Sequence, residues 1–90
     1  MLGGEYRKII VEETDVTTVL AAINKHQGFF TNADKRVGEC GWAEDPTKWF
    51  VHFYATSREW GRITKVLAET GEIIIKVAPG GATEMHYVRK

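Results

Sequence analysis

Lys48-Trp49-Phe50-Val51-His52-Phe53-Tyr54-Ala55 runs directly into Thr56-Ser57-Arg58-Glu59-Trp60. The first half is dense in aromatic and β-branched side chains, which fit a pleated, half-buried surface, and it predicts a strand over residues 49–55. Thr56-Ser57-Arg58-Glu59 fits a capping box, in which the threonine oxygen accepts from the amide of Glu59 and the Glu59 carboxylate accepts from the amide of Thr56. Behind it Trp60, Ile63, Val66 and Leu67 recur at helical spacing, and Gly71 ends the run. A strand therefore hands the chain straight to an amphipathic helix. Gly61 lies inside that helix, where it costs ~1 kcal/mol against alanine; close approach to a strand and simple tolerance both account for it.

Working outward, residues 5–13 carry Ile9, Ile10 and Val11 between charged neighbours and read as a strand, after which Thr14 or Asp15 offers an oxygen to a helix start. Val16, Val19, Leu20 and Ile23 place a helix over residues 15–27, with Gly28 as its left-handed stop. Asn32-Ala33-Asp34 reads as a turn. Residues 36–43 are expected to form a strand despite Gly38 and Gly41, and Glu44-Asp45-Pro46-Thr47 supplies the turn of a hairpin. Residues 72–77 form a short β-branched strand, Ala78-Pro79-Gly80-Gly81-Ala82 a loose connector, and residues 85–88 a last short strand. The order β-α-β-β-α-β with a C-terminal extra predicts one α+β domain over residues 1–90. The expected architecture is a ferredoxin-like sandwich, two helices on one face of an antiparallel sheet.

Side chains alternate across a strand, so Trp49, Val51, Phe53 and Ala55 point one way and Phe50, His52 and Tyr54 the other. The first set is wholly apolar and should meet the helices, joined by Ile9 and Val11 and by Ile73, Ile75 and Val77. The opposite face then carries Tyr6, Lys8, Ile10, Phe50, His52, Tyr54, Ile74 and Lys76. Aromatic side chains bury about 150 to 250 Å² each, so several together exceed the contiguous apolar surface a monomer usually leaves bare. Either the chain covers this face itself, with Phe29 and Phe30 or with Met85, Tyr87 and Val88, or a second copy packs on it sheet to sheet. A ligand or a nucleic acid is the remaining occupant.

Ninety residues leave room for one domain, and twelve Lys and Arg balance twelve Asp and Glu. Zero formal charge gives no long-range pull on a polyanion, which disfavours a dedicated duplex-DNA binder. The single cysteine, Cys40, cannot close an internal disulfide, and no secretory leader pattern opens the chain, so a cytoplasmic location is expected. The apolar runs at residues 9–11 and 73–75 are far short of a membrane span. His26, His52, His86 and Cys40 show no zinc-ligand spacing. A cysteine nucleophile at Cys40 would need His52 across the hairpin and Asp45 to orient it, and nothing in the pattern selects that set. With no phosphate loop, dinucleotide fingerprint, nucleophile elbow or zincin pattern, the expectation is a non-enzymatic domain without cofactor or metal.

Phe50-Val51-His52-Phe53 resembles the end of the RNP1 strand of RNA-recognition motifs, where exposed aromatics on the third strand stack bases. The resemblance covers one strand and places Phe50 at a stacking position, with Lys48 at the other and Pro46 where the family opens with a basic residue. It implies single-stranded nucleic-acid binding by Phe50 and Tyr54, with Lys8, Lys48 and Lys76 along the backbone. The topology is also similar to that of ACT domains, small-molecule-sensing modules that use the loop after the first strand. Here that loop is Glu12-Glu13-Thr14-Asp15, without the family's glycine. The function expected first is protein association as a homodimer through the open sheet face.

Overall fold

A computed structural model describes residues 4–26, 29–35, 48–77 and 80–90, the side chains of 29–31 and 35 excepted. The chain forms β1 (Glu5–Glu12), a 3-10 turn (Glu13–Asp15), α1 (Val16–Lys25), β2 (Phe29–Lys35), β3 (Lys48–Ala55), α2 (Ser57–Leu67), β4 (Gly71–Val77) and β5 (Thr83–Arg89). The expected α+β class holds. The strands make one five-stranded sheet in the order β2-β3-β1-β5-β4.

That order corrects the ferredoxin-like expectation. In a ferredoxin-like sheet the strand after the second helix lies beside the first strand, and all neighbours are antiparallel. Here β5 takes that place, running parallel to β1, and β4 is displaced to the edge, so the sheet is mixed. Two features of the C-terminal segment account for this. Gly80 and Gly81 hold φ of 96° and 89°, a region L side chains rarely adopt, and allow the chain to reverse from β4 into β5. Tyr87 on β5 then fills the core beside β1, its hydroxyl sharing a 2.6 Å hydrogen bond with that of Thr70. Gly71 on β4 makes room for it, because a Cβ there would stand 2.7 Å from the Tyr87 ring and 2.3 Å from the Val88 carbonyl oxygen. The C-terminal residues Met85, Tyr87 and Val88 are thus part of the sheet instead of a cover over it.

The core lies between the sheet and the helices. Ile9, Val11, Val51, Phe53, Ala55 and Tyr87 meet Val19, Ala22 and Ile23 of α1 and Ile63 and Leu67 of α2. The alternation expected for β3 is the one observed. On β4 it holds for Ile73, which packs on the core, but Ile75 and Val77, further along this edge strand, are 66% and 71% exposed.

The capping box is formed as expected, with the Glu59 amide donating to Thr56 Oγ1 at 3.1 Å and the Thr56 amide to Glu59 Oε1 at 2.8 Å. A Cβ at Gly61 would meet nothing within 4 Å, so no close approach explains that glycine. Asp15 does not cap α1; its buried carboxylate is held by Arg89 Nε at 2.8 Å, which ties the start of α1 to the end of β5. α1 ends at Lys25. Asn32, Ala33 and Asp34, expected as a turn, lie in β2 opposite His52, Val51 and Phe50. A register shift between Phe30 and Asn32 absorbs the irregularity, and Asn32 Nδ2 donates to Asp34 Oδ2 at 2.8 Å along the strand itself. The strand expected over 36–43, the turn over 44–47, Gly28 and Cys40 lie outside the described residues.

Candidate interaction face

The sheet surface opposite the helices is assembled by pairing register. β1 against β3 sets Tyr6 beside Tyr54, Lys8 beside His52, Ile10 beside Phe50 and Glu12 beside Lys48. On one side β2 brings Asp34 to Phe50; on the other, β5 brings His86 to Ile10 and β4 brings Ile74 to His86. Asp34, Phe50, Ile10, His86 and Ile74 thus form one row across all five strands. Tyr6, Lys8, Ile10, Phe50, His52, Tyr54, Ile74 and Lys76 share this face, as strand parity predicts.

Their accessibility divides them. Ile10 is 1% exposed and Phe50 6%, so the centre of the face is closed within a single chain. The Lys8 ammonium stands 4.5 Å from the centre of the Phe50 ring. Tyr6 is 52% exposed, with Tyr54 edge-on to it at 5.8 Å. Side chains that the chain itself buries support the surface; the tyrosines present it.

A polar chain crosses the same region. His52 Nε2 lies 3.1 Å from Asp34 Oδ2, and Nδ1 of the same ring is hydrogen-bonded to the Tyr6 hydroxyl. The carboxylate can only accept, so Nε2–H donates to Asp34, while Nδ1 shares its hydrogen bond with the Tyr6 hydroxyl. Burial pushes the Tyr6 phenol above its ordinary 10.0, and the neighbouring Tyr54 and Asp34 add to the shift. The phenol is therefore a proton-bearing donor at neutral pH. Tyrosine, imidazole and carboxylate form a satisfied chain rather than an activated nucleophile, which would need the opposite shift.

Two further pairs lie on this face. Lys48 Nζ donates to Glu12 Oε1 at 2.6 Å, and His86 Nε2 lies 3.1 Å from Glu84 Oε1 with both side chains largely buried. Asp34, Glu84 and His86 belong to this face although the sequence reading did not place them there. Asp34 sits two residues from Asn32, and Glu84 and His86 alternate with Met85 and Tyr87, so strand parity was the available signal.

Among the described residues no cluster of three His, Cys, Asp or Glu side chains could hold a metal ion. Cys40 and Asp45, the other members of the cysteine-nucleophile set, lie outside the described residues. The turn compared with the ACT-domain loop is closed at Asp15 by its ion pair with Arg89. A shallow apolar groove of ≈ 320 Å³ runs between α1 and α2 past Ala21, Ala22 and Val66, remote from the sheet face. No helix among the described residues is long and apolar enough to cross a membrane. Comparison with known protein families, with curated proteins and with solved structures finds no match.

Proposed function

We propose that this chain is a non-enzymatic association domain that meets a second copy of itself across the open sheet face, in the cytoplasm as its lone cysteine suggests. The observation that carries the reading is Tyr6, half exposed and flanked by Tyr54 on a face whose centre is already closed. Tyrosine is enriched at protein interfaces because one ring supplies apolar area and a polar tip together. A two-fold contact also requires one patch to complement itself. Tyr6, exposed on this face, can meet the same residue of a second copy across such an axis. Ile10 and Phe50 act as support beneath the contact.

Nothing in the geometry favours the nucleic-acid reading over this one. Phe50 offers no free ring face to a base, and Lys48 is held by Glu12. The test is the solution mass of the chain by light scattering across a concentration series. Association is expected, and Tyr6→Glu should weaken it by replacing the exposed ring with a charge. A mass equal to that of the variant at every concentration overturns the proposal.

A further inference from the structure

β4, Gly71–Val77, is one outer edge of the sheet. Its register with β5 is regular from Gly71 opposite Arg89 to Val77 opposite Thr83, without a shift. Just before it, the Thr70 carbonyl accepts from the Lys90 amide at 3.0 Å. Antiparallel pairing alternates from that bond, so Glu72, Ile74 and Lys76 turn their backbone groups to β5, while Gly71, Ile73, Ile75 and Val77 turn theirs outward. Among the described residues no strand takes them. Ile75 and Val77 add exposed apolar side chains to this edge. A straight apolar edge with outward backbone groups is a template for another strand. The opposite edge, β2, is blunted by its register shift.

We propose that β4 pairs antiparallel with β4 of a second copy, the two-fold axis passing at Ile74. The occupant is chosen by charge. About Ile74 the sequence Glu72-Ile73-Ile74-Ile75-Lys76 is self-complementary, so Glu72 stands opposite Lys76 of the second copy, twice in the dimer. Ile73 stands opposite Ile75 of the second copy on the helix side and covers it, and Ile74 meets its own symmetry mate on the open side. Ile73 and Ile75 also carry the outward backbone groups that this register bonds to each other. Moving the axis to Ile73 or Ile75 sets a charged side chain against Ile74, so the charges fix one register. The two sheets become one continuous sheet through a contact at the β4 edge, distinct from the Tyr6–Tyr54 contact proposed above.

The experiment is sedimentation equilibrium on the full chain carrying Tyr6→Glu, which removes the face contact. This chain is expected to remain dimeric. Adding Lys76→Glu sets like charges opposite each other at two places and should weaken the dimer about tenfold. Adding Glu72→Lys to that variant exchanges the charges and should restore the original affinity. Ile75→Pro removes an outward N–H that β5 does not use, so the far-ultraviolet spectrum should persist while the dimer is lost. A monomeric Tyr6→Glu chain at all concentrations, or a dimer indifferent to both Lys76→Glu and Ile75→Pro, overturns the edge interface. Equal masses for the wild type and Tyr6→Glu, with the charge exchange behaving as described, overturn the face contact and leave the edge interface standing.

Discussion

On the helix side of β3, Val51, Phe53 and Ala55 are fully buried among the side chains of both helices; on the other side Phe50 is nearly as buried, but beneath Lys8 and beside the imidazole of His52. Both faces of this strand exclude water from an aromatic ring, and they do so with different materials. One uses interlocked apolar side chains, whose contribution is lost when volume is lost. On the other, the Lys8 ammonium and the His52 imidazole, itself bonded to Tyr6 and Asp34, stand against the ring. Strand alternation assigns a residue to a face; it does not decide how that face is closed.

Truncating one phenylalanine on each side breaks or sharpens this comparison. Phe53→Ala is expected to cost about 3 to 5 kcal/mol in urea unfolding, the range for a buried aromatic in a core that cannot collapse around the cavity. Phe50→Ala should cost less, about 2 to 3 kcal/mol, because the Lys8 stem and neighbouring polar groups can settle into the space. Equal losses would mean that the open face is a second core with the same packing as the first.

The helix layer supplies the next effect. A Cβ at Gly61 meets nothing, and the residue sits in the interior of α2. Gly61→Ala should therefore raise stability by about 0.5 to 1 kcal/mol, the propensity difference between the two residues in a helix interior, seen as a higher urea midpoint with an unchanged slope. A loss of stability would show that α2 needs the space after all and that the helix face is more closely packed than the geometry indicates.

The legibility of the two sides differs in the same way. The strand-to-helix passage at residues 48–60 was readable because every signal in it is local: alternation, a capping box and a helical stripe all lie within one short stretch. Asp15 misled because its partner, Arg89, is distant in sequence, and an ion pair that holds the buried carboxylate from the surface displaced the cap that short-range chemistry suggests. Asn32-Ala33-Asp34 misled for a related reason, since turn-forming residues become strand residues when pairing with β3 supplies their backbone partners. The position of β5 depended on Tyr87 finding room above Gly71, a tertiary fit that no window of sequence contains. The open face was legible as a list of residues and illegible as a surface, because its cross-strand pairs join β2 to β3 and β1 to β3 only after the sheet has formed.

The smallest effect tests the polar cover of the open face directly. In the folded chain Tyr6 holds its proton more tightly than an unfolded tyrosine does, chiefly through burial and then through Tyr54 and Asp34. The raised value fixes the sign. The stability linked to this group is complete below 10.0, the ordinary value, and is lost as the pH rises through the folded value, because the unfolded chain releases the proton first. Stability followed into the alkaline range should therefore fall more steeply for the native chain than for Tyr6→Phe, which has no proton to release there. An absorbance titration of phenolate should show the same difference, with a phase above 10.0 that Tyr6→Phe removes. If Tyr6 ionises at or below that value, its phenol stands in water, without the burial and the neighbouring charges that raise it. The contrast between the two sides would then not extend to Tyr6 at the rim of the open face.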